Sequence, residues 1–172
     1  MRLLFELDTK DYNRDGVAFV RHSARCIHIK NGLAAMVHSI KYDSYKFPGG
    51  GIEKEESPEH AMIRETREEA GLTVIPESVK EYGYVHRMQK SDYDDAEYFV
   101  QDNYYYLCDV EEAVHSQDLD DYEAEEKFTL EYVEPDRAIF INRNADHGPA
   151  DQIMLEREAR VLERLKEEGY FG

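Results

Sequence analysis

Three observations predict a fold of class α/β, in which helices and strands share one core. Residues 17 to 29 and 33 to 40 are β-rich runs joined by Asn31-Gly32, the dipeptide that best fits the left-handed turn of a two-residue hairpin. Residues 57 to 70 carry helix punctuation at both ends. Ser57 suits the N-cap, Pro58 the first helical position, and Gly71 the left-handed residue that follows a helix. Residues 149 to 168 repeat apolar side chains (Ile153, Met154, Leu155, Val161, Leu162, Leu165) near the helical period, with Gly169 as a stop. A chain of 172 residues is sized for one domain, taken here as 1–172.

The elements follow in chain order. Leu3 to Leu7 form a short strand before the turn at Asn13 to Gly16. The two hairpin runs are expected to be antiparallel neighbours, the second leading through Tyr42 to Phe47 into Gly49-Gly50-Gly51. Three residues without Cβ atoms, behind Pro48, read as a loop able to approach a ligand closely. After the helix at 57–70 comes a short strand, Leu72 to Ile75. Val79 to Met88 and Glu97 to Val110 are long strands rich in Tyr, Phe and Val, and the polar stretch between them, Gln89 to Ala96, reads first as a plain hairpin connection and second as a loop able to close over a substrate. Residues 111 to 125 hold few apolar anchors and read as an exposed or mobile loop. Lys127 to Val133 is a strand and Pro135 opens a short helical turn.

Chemistry concentrates on the first helix. At about 100° per residue, Glu65, Glu68 and Glu69 share one stripe while Met62, Ile63, Thr66 and Ala70 face inward. Like charges at that spacing repel by roughly 0.2 to 0.5 kcal/mol per pair. Helix stability alone does not select them, and a bound hard cation, which takes carboxylate oxygens, waters and phosphate oxygens, reverses the sign.

Gly50, five residues, Glu56, seven residues, then Arg64-Glu65-Thr66-Arg67-Glu68-Glu69-Ala70-Gly71-Leu72 resembles the complete Nudix box. Thr66 is the one departure, standing where the box prefers an aliphatic residue. The resemblance implies an α/β/α sandwich with a mixed β-sheet, and hydrolysis of a pyrophosphate bond in a nucleoside diphosphate derivative with Mg²⁺, or Mn²⁺ in its place. By position it makes Glu65, Glu68 and Glu69 metal ligands, Glu56 an accessory acid, Gly50 a carbonyl ligand, and Arg64 an orienting partner of a glutamate. Glu125 and Glu126 loosely match a glutamate-bearing loop of the family and are candidates for general base beside Glu68 and Glu65. A nucleoside triphosphate, intact or damaged, is the first expectation for the substrate. A nucleotide sugar, a dinucleoside polyphosphate, or a catalytically silent nucleotide-binding module are the alternatives.

Composition narrows the partners. With 38 acidic against 21 basic residues and a net charge of −17, the chain lacks the Lys and Arg surplus that sequence-independent nucleic-acid binding needs. A small-molecule nucleotide fits better than duplex nucleic acid, and homodimerisation is admitted. No stretch is long and apolar enough for a membrane helix, and a cytoplasmic location is expected. Cys26 and Cys108 lack metal-site spacing and read as reduced core residues. The seven histidines are scattered and read as structural or surface residues. Arg21 and Arg25, four apart on one strand face, are candidates to meet phosphate, with Lys46 and Phe47 just ahead of the glycines and His38 near them. No serine, cysteine or lysine sits in a nucleophile motif, so water is the expected attacking group.

Overall fold

The computed structural model describes all 172 residues. Its elements run β1 (Leu3–Asp8), β2 (Ala18–Val20), β3 (Ser23–Ile27), β4 (Ile29–Lys30), β5 (Leu33–Ser39), β6 (Ser44–Lys46), β7 (Gly49–Gly51), α1 (Pro58–Ala70), β8 (Leu72–Val74), β9 (Lys80–Lys90), β10 (Tyr98–Leu107), β11 (Val110–Val114), α2 (Asp121–Glu125), β12 (Phe128–Val133), α3 (Pro135–Asn144) and α4 (Gln152–Glu167).

The main sheet is mixed and runs β1-β9-β10-β3-β7. β10 pairs antiparallel with β9 and parallel with both β2 and β3, while β7 lies antiparallel on β3. A second, antiparallel sheet is centred on β5, with β12 along one edge and β4 then β6 along the other. β8 and β11 form a small pair. Alternation along β3 decides which layer each residue joins. Ala24 and Cys26 pack with Ala61 and Met62 of α1, whereas Ile27 joins Met36, Phe47, Tyr105 and the α4 residues Val161, Leu162 and Leu165. The mixed sheet is therefore covered by α1 on one face and by α4 on the other, the expected sandwich.

One carboxylate ties these layers. Glu158 of α4 is fully buried, and it accepts from the Phe47 amide (2.6 Å), the Tyr105 hydroxyl (2.6 Å) and Arg157 Nε (2.8 Å). Burial alone would push its carboxyl up, but Arg157, Arg25, the Tyr105 hydroxyl and the Phe47 amide outweigh that and hold it below the ordinary range.

Four expectations are corrected. The hairpin exists, with Asn31 at φ 53° and Gly32 at φ 75°, but it joins only β4 and β5. At His28 the chain leaves one sheet for the other, so β3 and β5 are not neighbours. The glycine run is a strand, because ladder hydrogen bonds to β3 need only backbone. Residues 111 to 125 are not all loop: β11 pairs with β8, and α2 is opened by a capping box between Asp120 and Glu123. The turn at Pro135 extends to a ten-residue helix. Cys26 and Cys108 are free and buried, as expected. No helix is long and apolar enough to cross a membrane.

Candidate functional site

α1 forms where its punctuation placed it. The Ser57 hydroxyl accepts from the His60 amide (3.2 Å), and Gly71 at φ 69° closes the helix with its amide on the Arg67 carbonyl. Its polar stripe faces β7. Arg64 is the hub there, donating to Glu56 through Nε and Nη2 (both 2.9 Å), to Glu65 (2.8 Å), to Glu68 (3.2 Å) and to the Gly51 carbonyl (3.2 Å). Glu56 holds the Arg64 guanidinium still more firmly in its charged form, and Arg64 in turn lowers the Glu56 carboxyl. Three carboxylates share one guanidinium, which leaves negative charge in surplus. Glu68 registers it: burial, then the Glu65 charge beside it, pushes its carboxyl up.

Gly50 is part of this arrangement. A Cβ at that position would lie 2.5 Å from Glu65 Oε2, so the missing side chain is the space the Glu65 carboxylate occupies. The Arg21 guanidinium lies over Gly51 in the same way, 2.6 Å from where a Cβ would stand.

Glu69 behaves differently from its neighbours on the stripe. It is 1% exposed, and its two oxygens accept from Lys46 Nζ (2.6 Å) and the Gly49 amide (3.1 Å). Burial pushes it up to about 7 despite the Lys46 partner. Lys46, in turn, sits 4.5 Å from the centre of the Phe128 ring.

α1, β3 and β7 form one end of a cleft of about 670 Å³ that extends between α4 and the sheets. Arg21, Arg25, Lys46, Gly50, Glu65, Glu69 and Glu126 line it. Arg25 is buried in its floor and donates to the Phe47 carbonyl (3.0 Å). Glu126 enters from the opposite wall and accepts from the Ser39 hydroxyl (3.0 Å). Glu68 does not line the cleft; its side chain is 36% exposed. Six expected residues do not line it: Glu56, Arg64 and Glu68, linked to the lining Glu65 through Arg64, and Phe47, Glu125 and His38. Phe47 is fully buried and packs edge-on against Tyr105, because the alternation that points Lys46 into the cleft turns Phe47 into the core. Glu125 is paired with Lys41 on the surface, its side chain 71% exposed. His38 lies outside the cleft as well, stacked on Tyr45.

The donor set suits a hard divalent ion only in part. No three acidic, histidine or cysteine side chains form a ready ligand cage, and Glu69 is committed to Lys46. Glu65 and Glu68, with surplus negative charge and the Gly50 backbone alongside, fit the one or two carboxylates that Mg²⁺ combines with waters and substrate phosphates.

Sequence reasoning missed the far wall of the cleft, made by Phe19, Arg87, Gln89, Phe99, Gln101, Asp151 and Arg157. One signal was present: Glu158 recurs on the apolar face of the last helix with Leu155, Leu162 and Leu165, and a carboxylate there requires buried partners.

A family profile described as NUDIX domain matches residues 13–156. Over 41 residues the chain is 56% identical to an RNA pyrophosphohydrolase of Hahella chejuensis, a match covering 24% of each chain. Over 50 residues it is 44% identical to one of Acinetobacter baylyi, covering 29% of each. The matched stretches thus span less than a third of these relatives' length. Among solved structures, the fold is similar to the ORF135 protein of E. coli (TM-score 0.53, 17% identity, 87% of this chain and 93% of that one). It is also similar to a NUDIX hydrolase from Nitrosomonas europaea (TM-score 0.55, 12% identity, 83% and 90%). At such identities the structural likeness concerns the fold.

Proposed function

The chain belongs to the NUDIX domain family, and on that premise we propose that it is a divalent-metal-dependent hydrolase of a pyrophosphate bond in a nucleoside diphosphate derivative, first a nucleoside triphosphate. The observation that carries this reading is the gathering of Glu56, Glu65 and Glu68 on the single guanidinium of Arg64, with Glu65 and the glycines lining one end of an open cleft.

A divalent cation, when bound, offsets the charge of the phosphates and lowers the pKa of water at the reacting phosphorus; Glu65 and Glu68 would hold it. The chain's own residues do the rest. Arg64 fixes the carboxylates, so their geometry is set before substrate arrives. β7 brings phosphate oxygens close to backbone, and Arg21 and Arg25 meet their charge from the strand beside it. Glu68, whose one side-chain partner is Arg64 at 3.2 Å and whose carboxyl is raised, is the first candidate to accept a proton from attacking water. Glu126, across the cleft, is the second candidate.

Removal of pyrophosphate from the 5′-triphosphate end of an RNA is the second reading, favoured by the two relatives named for that activity. The net charge of −17 opposes the approach of a long polyanion, which ranks the free nucleotide first.

The test is release of phosphate or pyrophosphate from nucleoside triphosphates, nucleotide sugars, dinucleoside polyphosphates and 5′-triphosphorylated RNA with Mg²⁺ or Mn²⁺. Wild type is compared with Glu68→Gln and Glu126→Gln. Turnover of one class, with kcat falling about 100-fold or more in Glu68→Gln, is the expected result. Nucleotides that raise the melting temperature without being hydrolysed would replace the enzyme with a binding module.

A further inference from the structure

The far arm of the cleft carries side chains that hydrolysis of a phosphate chain does not use. On the face of the mixed sheet turned away from α1, register sets Phe19 beside Phe99 and Phe99 opposite Gln89, with Gln101 opposite Arg87 one step along. The rings of Phe19 and Phe99 lie 5.9 Å apart at 26°. Tyr93, from the β9–β10 connection, sets its ring 4.7 Å from Phe19. None of the three belongs to a core cluster, yet all line the cleft. These rings, kept out of the core and in an open groove, with the Arg87 guanidinium 5.6 Å from the centre of Phe99, are a platform for a flat ring.

The polar edge beside that platform has a defined sense. Arg87 is buried and held by Asp151, and its Nε donates to Gln89 Oε1 (2.8 Å). Arg157, fully buried, directs Nη1 at Gln101 Oε1 (3.5 Å). A guanidinium only donates, so the Gln89 amide oxygen must face Arg87; Arg157 Nη1 has its short bond to Asn103 Oδ1 (2.7 Å) and turns the Gln101 oxygen toward itself through the longer contact alone. Neither amide nitrogen has a partner within the protein, which leaves two N–H₂ groups as donors at the cleft.

We propose that this arm is a nucleobase subsite selective for 6-oxopurines, with the ring stacked against Phe99 and Phe19 and its O6 and N7 accepting from Gln89 and Gln101. Guanine and hypoxanthine offer acceptors at both positions, whereas adenine sets an amino donor at the 6-position against a donor. The assignment rests on the hydrolase reading in placing the phosphates at the glutamate end, and it names the substrate class of that same cleft.

The test is calorimetric binding of GMP, IMP and AMP to wild type, Gln89→Leu and Phe99→Leu, with GTP and ATP hydrolysis by wild type alongside. GMP and IMP should bind wild type roughly tenfold more tightly than AMP. Gln89→Leu should erase the preference, and Phe99→Leu should weaken all three alike, with melting temperatures checking that both variants fold. Equal binding of the three nucleotides to wild type, or an intact preference in Gln89→Leu, overturns the subsite. If the preference and its loss are seen but no triphosphate is hydrolysed, the subsite stands and the free triphosphate falls as the substrate. Hydrolysis with no base preference keeps the hydrolase and removes the subsite.

Discussion

Two adjacent glycines separate stability from activity at the scale of one residue. Gly49 has φ 151°, and a Cβ there would lie 2.2 Å from the Ala24 carbonyl oxygen, a backbone atom that cannot step aside. Gly49→Ala should therefore destabilise the fold by about 2 kcal/mol or more, read by urea unfolding. A Cβ on Gly50 meets the far end of the Glu65 side chain, which can swing away. Gly50→Ala should melt close to wild type, yet lose about 100-fold in kcat, because an ångström of misplacement at a catalytic group costs that much. Equal losses of stability in the two variants would contradict this assignment. Residues like these were only half legible in the sequence: the glycine run announced a close approach, but not that a carboxylate fills the space of one missing side chain and a carbonyl that of the other.

Elements were legible where local chemistry sets them. α1 runs one residue inside its predicted span because Ser57, Pro58 and Gly71 act within a turn of their own positions. Ser57→Ala should cost about 1 kcal/mol, seen as a lower melting temperature, since the His60 amide loses its acceptor. A much smaller loss would mean that water serves the helix end equally well. The glutamate stripe was readable for the same reason, through fixed helical spacing. What the helix pattern could not supply was the inequality within it: Glu69 differs from Glu68 in being buried, with Lys46 and the Gly49 amide, both distant in sequence, closed over it. Strand partners were less legible. β3 and β5 look like one hairpin because each is β-rich and Asn31-Gly32 lies between them. Their sheets are chosen instead by β10 and β12, about eighty and ninety-five residues further on.

At the scale of the whole molecule, stability depends on acidity through Glu158. Its carboxyl is held below the ordinary range in the folded state, so the stabilisation is complete above the ordinary carboxylate pKa and is lost as pH falls through the folded value. Tyr105→Phe removes one of the donors responsible. It should cost about 1 kcal/mol at neutral pH, and the cost should shrink as pH falls below the ordinary glutamate pKa of about 4.3 and the wild type loses the same contribution. Urea unfolding of both proteins across that range decides it; a cost that stays constant with pH would remove Glu158 as the titrating group. The far wall of the cleft, including the arginine that shares a helix with Glu158, escaped the sequence for a related reason. Buried polar groups are set by partners in three layers, and no local spacing records them.

The parallel pairing of the mixed sheet also sets a timetable for synthesis. β1, β2 and β3 are translated early, but their partners β9 and β10 follow about eighty residues later. A ribosome making this chain therefore exposes β1 with no partner until β9 has left the exit tunnel and β2 with none until β10, while β3 has only the short β7 to join in the meantime. For that interval the nascent chain is a client for chaperones, and slow codons ahead of β10 would lengthen its exposure.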